Sequence, residues 1–161
     1  KWDNLDYLII DLPPGTGDIQ LTMAQKIPVS GSIVVTTPQD IALLDCKKGI
    51  EMFRKVDIPV FGVVENMSVH ICSECGHHES LFGEGGGERI AKEFGTEVLG
   101  EMPLHKTIRE QTDSGLPTVV SEPDSEVALL YRDIARKLSA LLSQEALDPR
   151  HVFPNIAVSS E

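Results

Sequence analysis

Cys72 and Cys75 stand two residues apart in Val69-His70-Ile71-Cys72-Ser73-Glu74-Cys75-Gly76-His77-His78. Two thiols at this spacing can grip one metal from a single turn, and Gly76 keeps the backbone there adaptable. Both zinc and a four-iron cluster want about four ligands, so the pair is half a coordination shell. The shell can be completed in two ways. A second copy of the chain can add its own two thiolates around a bridging cluster, or one or both of His77 and His78 can join the cysteines around zinc within one chain. The second arrangement is tight, because zinc motifs usually place their second ligand pair farther off. A redox dithiol is the third option, although such pairs usually open a helix with Pro or Gly between the cysteines. Spacing alone leaves cluster and zinc close to even. His70, His77 and His78 flank the dithiol, either tuning it or standing as solvated loop residues, whereas His105 and His151 have no visible partners.

A second constellation is Ile9-Ile10-Asp11-Leu12-Pro13-Pro14-Gly15-Thr16-Gly17-Asp18. An Asp ending an apolar strand is the physical form of a Walker B element, which holds a carboxylate over magnesium, usually through water. Pro-Pro-Gly makes a stiff turn, and Gly15 and Gly17 leave backbone amides free to approach a phosphate. The plainer alternative is a strand-to-helix connection capped by Asp18. A third segment, Phe82-Gly83-Glu84-Gly85-Gly86-Gly87-Glu88, resembles a phosphate loop only superficially. A dinucleotide fingerprint needs Gly at 88, and Glu84 and Glu88 would repel a phosphate. It reads better as a flexible lead-in to the helix that follows. Cys46 shares the apolar stripe of its own helix and is expected in the core.

These residues need elements to position them. Residues 5–10, 32–37 and 60–64 are apolar or β-branched runs without alternation, the habit of parallel strands covered on both faces. Between and after them, helices are predicted over 18–27, from Asp40 through Phe53, and over 88–94, with a short strand at 97–100. On the second helix Leu43, Cys46, Ile50 and Phe53 form one face. A last helix is predicted from near Pro123 to about Glu145. Ser121 and Asp124 are spaced as a capping box, and Val127, Leu130, Ile134, Leu138 and Leu141 form the stripe. Strand–helix alternation predicts an α/β three-layer sandwich with a mostly parallel sheet, one domain over 1–145, and an unstructured tail over 146–161.

Composition narrows the function. The chain has 161 residues, and 14 basic against 25 acidic residues give a net charge of −11. An acidic chain of pI about 4.8 repels nucleic-acid phosphate and anionic membranes, so neither is an expected partner. No apolar run approaches a membrane span, and no signal peptide opens the sequence. An odd count of 3 cysteines speaks for a reducing, cytoplasmic setting over a disulfide framework.

LIIDLPPGTGDIQLTMAQ, VVTTPQDIALLDCKKGI and VVENMSVHICSECGHHESLFGEGGGERIA together resemble the Mrp/ApbC family of iron–sulfur cluster carriers, over about residues 3–143. That family belongs to the MinD/ParA-like ATPases with a deviant Walker A loop. The resemblance implies a P-loop NTPase-like fold and a cytoplasmic homodimer. It also implies a 4Fe-4S cluster held by Cys72 and Cys75 of two subunits and passed to apo iron–sulfur client proteins. Asp11 would be the magnesium-side Walker B residue of an ATP site, Asn66 would hydrogen-bond the adenine edge, and Met102-Pro103-Leu104 would line the base. ATP would bias the dimer through the turn after Asp11. One departure stands out. No Gly-Lys-Ser/Thr occurs in the sequence, and only ten residues precede Asp11. The expectation is therefore the C-terminal part of a longer protein, without the strand and loop that hold the phosphates. Alone it would bind ATP weakly or not at all, and the sheet edge left open should drive self-association or strand exchange. The rival reading is a non-enzymatic zinc-binding or scaffold module. A positioning ATPase fits less well, because the last helix carries Arg132, Arg136 and Lys137 beside a stripe wide enough to be core.

Overall fold

A computed structural model describes residues 3–13, 17–72 and 74–146. Three parallel strands form the body of one sheet: β1 (Ser32–Thr36), β2 (Val60–Ile71) and β4 (Val98–Leu104), with β2 in the middle. The two-residue β3 (His78–Glu79) returns antiparallel against the end of β2. His70 pairs with Glu79 and also with Leu104, so β3 and β4 lie on opposite edges of β2, and β3 continues the β1 side.

Helices cover both faces. On one, Leu43, Cys46 and Ile50 of α2 (Asp40–Lys55) meet Val63 of β2 and Ile90 of α3 (Gly86–Phe94). On the other, Val64, Leu99 and Met102 receive Val127, Ile134 and Leu141 of α6 (Glu126–Ala146) and Ile108 of α4 (Lys106–Asp113). Val63 and Val64 thus bury into opposite layers, which is why β2 reads as a continuous apolar run. The α/β three-layer arrangement expected from the sequence is the one observed. α2 is oriented for its dipole, with Asp40 in the first turn and Arg54 and Lys55 in the last.

Several expectations are corrected. Residues 5–10 join no strand ladder among the described residues, and Leu5, Tyr7, Leu8 and Ile9 are exposed, Ile9 at 82%. A strand with both faces covered needs a ladder neighbour, and none of the described strands supplies one; β-type composition alone does not hold a strand. β2 runs on to Ile71 and β4 to Leu104, past the expected ends at 64 and 100. Pro103 is tolerated because, among the described residues, β4 pairs on one side only, as an edge strand does. α6 starts at Glu126, and Ser125 Oγ accepts the Ala128 N–H at 3.2 Å, in place of the Ser121/Asp124 box. Leu130 of the expected stripe is 36% exposed, while Ala128 is fully buried. Three short elements were not anticipated: β3, α4 and α5 (Thr118–Ser121). α1 (Asp18–Lys26) forms as expected, with Gly17 rather than Asp18 at the cap position. Gly15 and the tail beyond Ala146, with His151, lie outside the described residues.

Candidate functional site

The carboxyl ends of parallel strands are where α/β sheets gather ligands, and here those ends bring several expected residues together. Asn66 of β2 is the ladder partner of Met102 of β4, and His70 that of Leu104. Met102 and Pro103 are buried and Leu104 is half-buried. Asn66 and Met102 therefore lie side by side across the ladder. Between these two pairs β2 takes four residue steps where β4 takes two, so β2 carries a bulge with two extra residues. Met67 begins it at φ 57°, a left-handed backbone uncommon for Met. The Met67 N–H donates to Asn66 Oδ1 at 3.0 Å, Ser68 Oγ donates to the Met102 carbonyl at 3.2 Å, and His70 Nδ1 lies 3.4 Å from the Leu104 carbonyl.

Past the bulge, β2 and β3 form a hairpin whose tip is the dithiol. Cys72 N–H donates to the His77 carbonyl and Gly76 N–H to the Cys72 carbonyl, both at 2.9 Å. Gly76 takes φ 68°, which the tight turn requires of it. Cys72 is half-buried and Cys75 exposed. The backbone N–H of Glu74, then that of Cys75, then the Cys75 thiol hydrogen-bond the Cys72 sulfur and hold its pKa below the ordinary thiol value, against a smaller opposing effect of burial. N–H donors at a sulfur favour its thiolate form over the thiol. Among the described residues, no group of three or more Cys, His, Asp or Glu side chains is arranged to hold a metal ion. His77 and His78 are exposed and do not complete a four-ligand shell with the cysteines. One chain thus presents two cysteines, one half-buried and one exposed, at the tip of the hairpin.

Asp11 is placed differently from the expectation. It is exposed and follows the unpaired segment 5–10, so the strand-end carboxylate of a Walker B element is not formed here. Just beyond it, Gln20 Nε2 donates to the Pro13 carbonyl at 2.9 Å and ties α1 to the segment.

In the glycine run, Gly86 and Gly87 already belong to α3 and serve packing, so the lead-in is confined to the residues before them. Gly86 and Gly87 are buried in the first turn of α3, and the Gly87 N–H donates to Glu65 Oε2. A Cβ at Gly86 would stand 2.8 Å from Pro38 Cα, and one at Gly87 3.1 Å from Glu65 Cβ. Glu65, 2% exposed, is a structural residue that sequence reasoning missed. Its signal was a lone carboxylate closing the apolar run Val60–Val64. Its ladder neighbours are Thr36 and Glu101. The Glu101 carboxyl is pushed above its ordinary value, first by partial burial and then by the charges of Glu65 and Glu88. Cys46 sits in the core as expected, its thiol raised to about 11 by burial. No helix among the described residues is long and apolar enough to cross a membrane.

Residues 1–139 match the family model described as the NUBPL iron-transfer P-loop NTPase. The iron-sulfur cluster carrier protein of Pseudomonas fragi is 66% identical over 134 residues, which is 83% of this chain and 47% of that protein. Among solved structures, a nucleotide-binding protein of Archaeoglobus fulgidus in complex with ADP superposes with a TM-score of 0.64 at 38% identity, covering 76% of this chain and 49% of that one. The MinD cell division protein of Aquifex aeolicus superposes with a TM-score of 0.63 over 86% of this chain and 55% of that one. At 23% identity it speaks to fold alone. The chain spans less than half the length of the curated relatives it matches, 47% in one and 38% in another.

Proposed function

The chain belongs to the NUBPL iron-transfer P-loop NTPase family, and from that premise we propose that it carries an iron–sulfur cluster as cargo on Cys72 and Cys75 and passes it to apo-proteins. The observation that carries this reading is the hairpin. It presents two neighbouring sulfurs, one of them hydrogen-bonded by backbone amides, at an exposed tip with half a coordination shell. Two copies facing one another supply four thiolates, which suits a shared 4Fe-4S cluster in a homodimer. Delivery is ligand exchange without a redox change. A client thiol gives up its proton and bonds to iron as the Cys75–iron bond breaks, and the proton ends on the departing Cys75 sulfur. Cys75 is the natural leaving ligand because it is exposed, whereas Cys72 is half-buried and amide-bonded.

Nucleotide chemistry belongs in this reading to the intact protein. Asn66 and Met102-Pro103-Leu104 would take the adenine side, with Asp11 on the magnesium side and Gly15 near the phosphates, once a lysine-bearing loop completes the site. Bound ATP would there supply the energy that changes the grip on cargo. A cytoplasmic location and apo iron–sulfur clients complete the proposal.

The test is delivery. The chain is loaded anaerobically, freed of unbound iron and sulfide, and mixed with an apo iron–sulfur enzyme whose activity reports cluster arrival. Recovery of activity by the parent chain and not by a Cys72→Ser chain is expected. Recovery no better than with the variant would overturn the carrier reading, and stoichiometric zinc without sulfide would favour a structural site instead.

A further inference from the structure

We propose that Asn66 and Met67 form a positioning joint that aims the dithiol hairpin, so that whatever engages the Asn66 carboxamide also moves Cys72 and Cys75. The proposal rests on the reading of that pair as the cargo site. Behind the joint, β2 is clamped on both edges, with Thr36 of β1 against Glu65 and Met102 of β4 against Asn66. Beyond it, the β2–β4 register is broken over residues 67–69, and among the described residues the hairpin's polar ties to the sheet are the hydrogen bond of the buried Ser68 to Met102 and the pairing of His70 with Leu104. The direction in which the hairpin leaves the sheet is therefore decided at Met67. That residue holds a left-handed φ of 57°, which side chains other than Gly, Asn and Asp adopt only when their surroundings impose it. The restraint visible here is the Asn66 carboxamide, whose oxygen must be the atom facing Met67 because the Met67 N–H is a donor.

The same carboxamide sits beside Met102, on the carboxyl edge of the sheet, where the proposed function puts the adenine. A purine amino group donating to Asn66 Oδ1 draws on the oxygen that holds Met67. Base occupancy and dithiol pose are thereby read by one atom. The device is a strained bulge between two sites, and bulges are used in sheets to re-aim a side chain.

The experiment follows amide hydrogen exchange in the full chain, without nucleotide, for the parent, Asn66→Ala, Met67→Gly and the double variant. Asn66→Ala should speed exchange over residues 68–71, the stretch of β2 that carries the hairpin past the bulge, about 5-fold, the effect of losing one ordinary hydrogen bond, while the β1 amides keep their protection. Met67→Gly should exchange no faster than the parent, because Gly needs no partner to hold φ positive. The double variant should return towards the parent rate, a rescue that a merely structural Asn66 would not show. The joint is overturned if Asn66→Ala leaves the hairpin unchanged, if it loosens β1 equally, or if Met67→Gly fails to rescue it. Iron and sulfide are counted on the same preparations. A responding hairpin on a chain that takes up no cluster sinks the carrier reading and keeps the joint; a cluster on an unresponsive hairpin does the reverse.

Discussion

The buried carboxylate of Glu65, on the middle strand of the sheet, accepts the backbone N–H of Gly87 in the first turn of α3. The pairing satisfies one of the helix's free amides and places negative charge at its positive end. Removing the carboxylate should therefore be costly. Glu65→Ala leaves that amide unpaired over a cavity and should lose about 2 to 4 kcal/mol of unfolding free energy in urea. Glu65→Gln keeps an acceptor oxygen and should lose about 1 kcal/mol. Equal losses would mean that shape alone, and not the hydrogen bond, explains the residue.

The two buried glycines differ in what they face. A Cβ at Gly86 meets Pro38 Cα at 2.8 Å and Pro38 O at 3.0 Å, which is backbone and cannot swing away. A Cβ at Gly87 meets the Glu65 side chain at 3.1 and 3.2 Å, which can give slightly. Gly86→Ala should cost about 2 to 3 kcal/mol and Gly87→Ala about 1 kcal/mol, part of each clash being offset by the better helix propensity of Ala. The order is read from denaturation midpoints, and its reversal would contradict the packing described.

Cys46 should be chemically silent in the folded chain. Burial keeps its proton on until about 11, whereas in the unfolded chain it leaves near the ordinary 9.0. Iodoacetamide at pH 8 should label Cys72 and Cys75, and reach Cys46 only in denaturant. The folded-state value is the raised one, so this contribution to stability is intact below about pH 9. It is lost as pH rises towards 11, by up to about 2 to 3 kcal/mol. Cys46→Ala should flatten that part of the pH–stability curve. Early labelling of Cys46 would contradict its burial.

β1 pairs only with β2 among the described residues, and its Val35 is 59% exposed. An exposed strand edge with apolar side chains invites pairing with another chain. Sedimentation of the cluster-free chain should show self-association that Val35→Lys reduces, because a charge on an edge strand opposes it. A monodisperse monomer would contradict this.

The sequence made some of this visible and hid the rest for physical reasons. The unalternated runs at 32–36 and 60–64, and the stripe of Leu43, Cys46 and Ile50, were legible because burial on a fixed period leaves a local trace. Residues 5–10 carry the same trace yet join no ladder among the described residues, since strand formation needs a neighbour that a pattern cannot supply. α4 escaped notice because its eight residues include one large apolar side chain, Ile108. The glycines at 86 and 87 looked flexible because the groups that demand close approach, Pro38 and Glu65, lie far away in the chain. For the site, the dithiol was readable from spacing, but Asn66 and Met102 were singled out only through resemblance. The bulge between Asn66 and His70 left no pattern at all, because a register break is a property of two strands and not of one.

The most direct test of the account counts iron and acid-labile sulfide per chain after anaerobic reconstitution, with sedimentation on the same sample and Cys72→Ser alongside. The account expects about two iron and two sulfide per chain in a dimer, as four iron shared by two copies require, with both lost in the variant. Iron and sulfide retained by Cys72→Ser, or a parent chain that takes up neither, would contradict it.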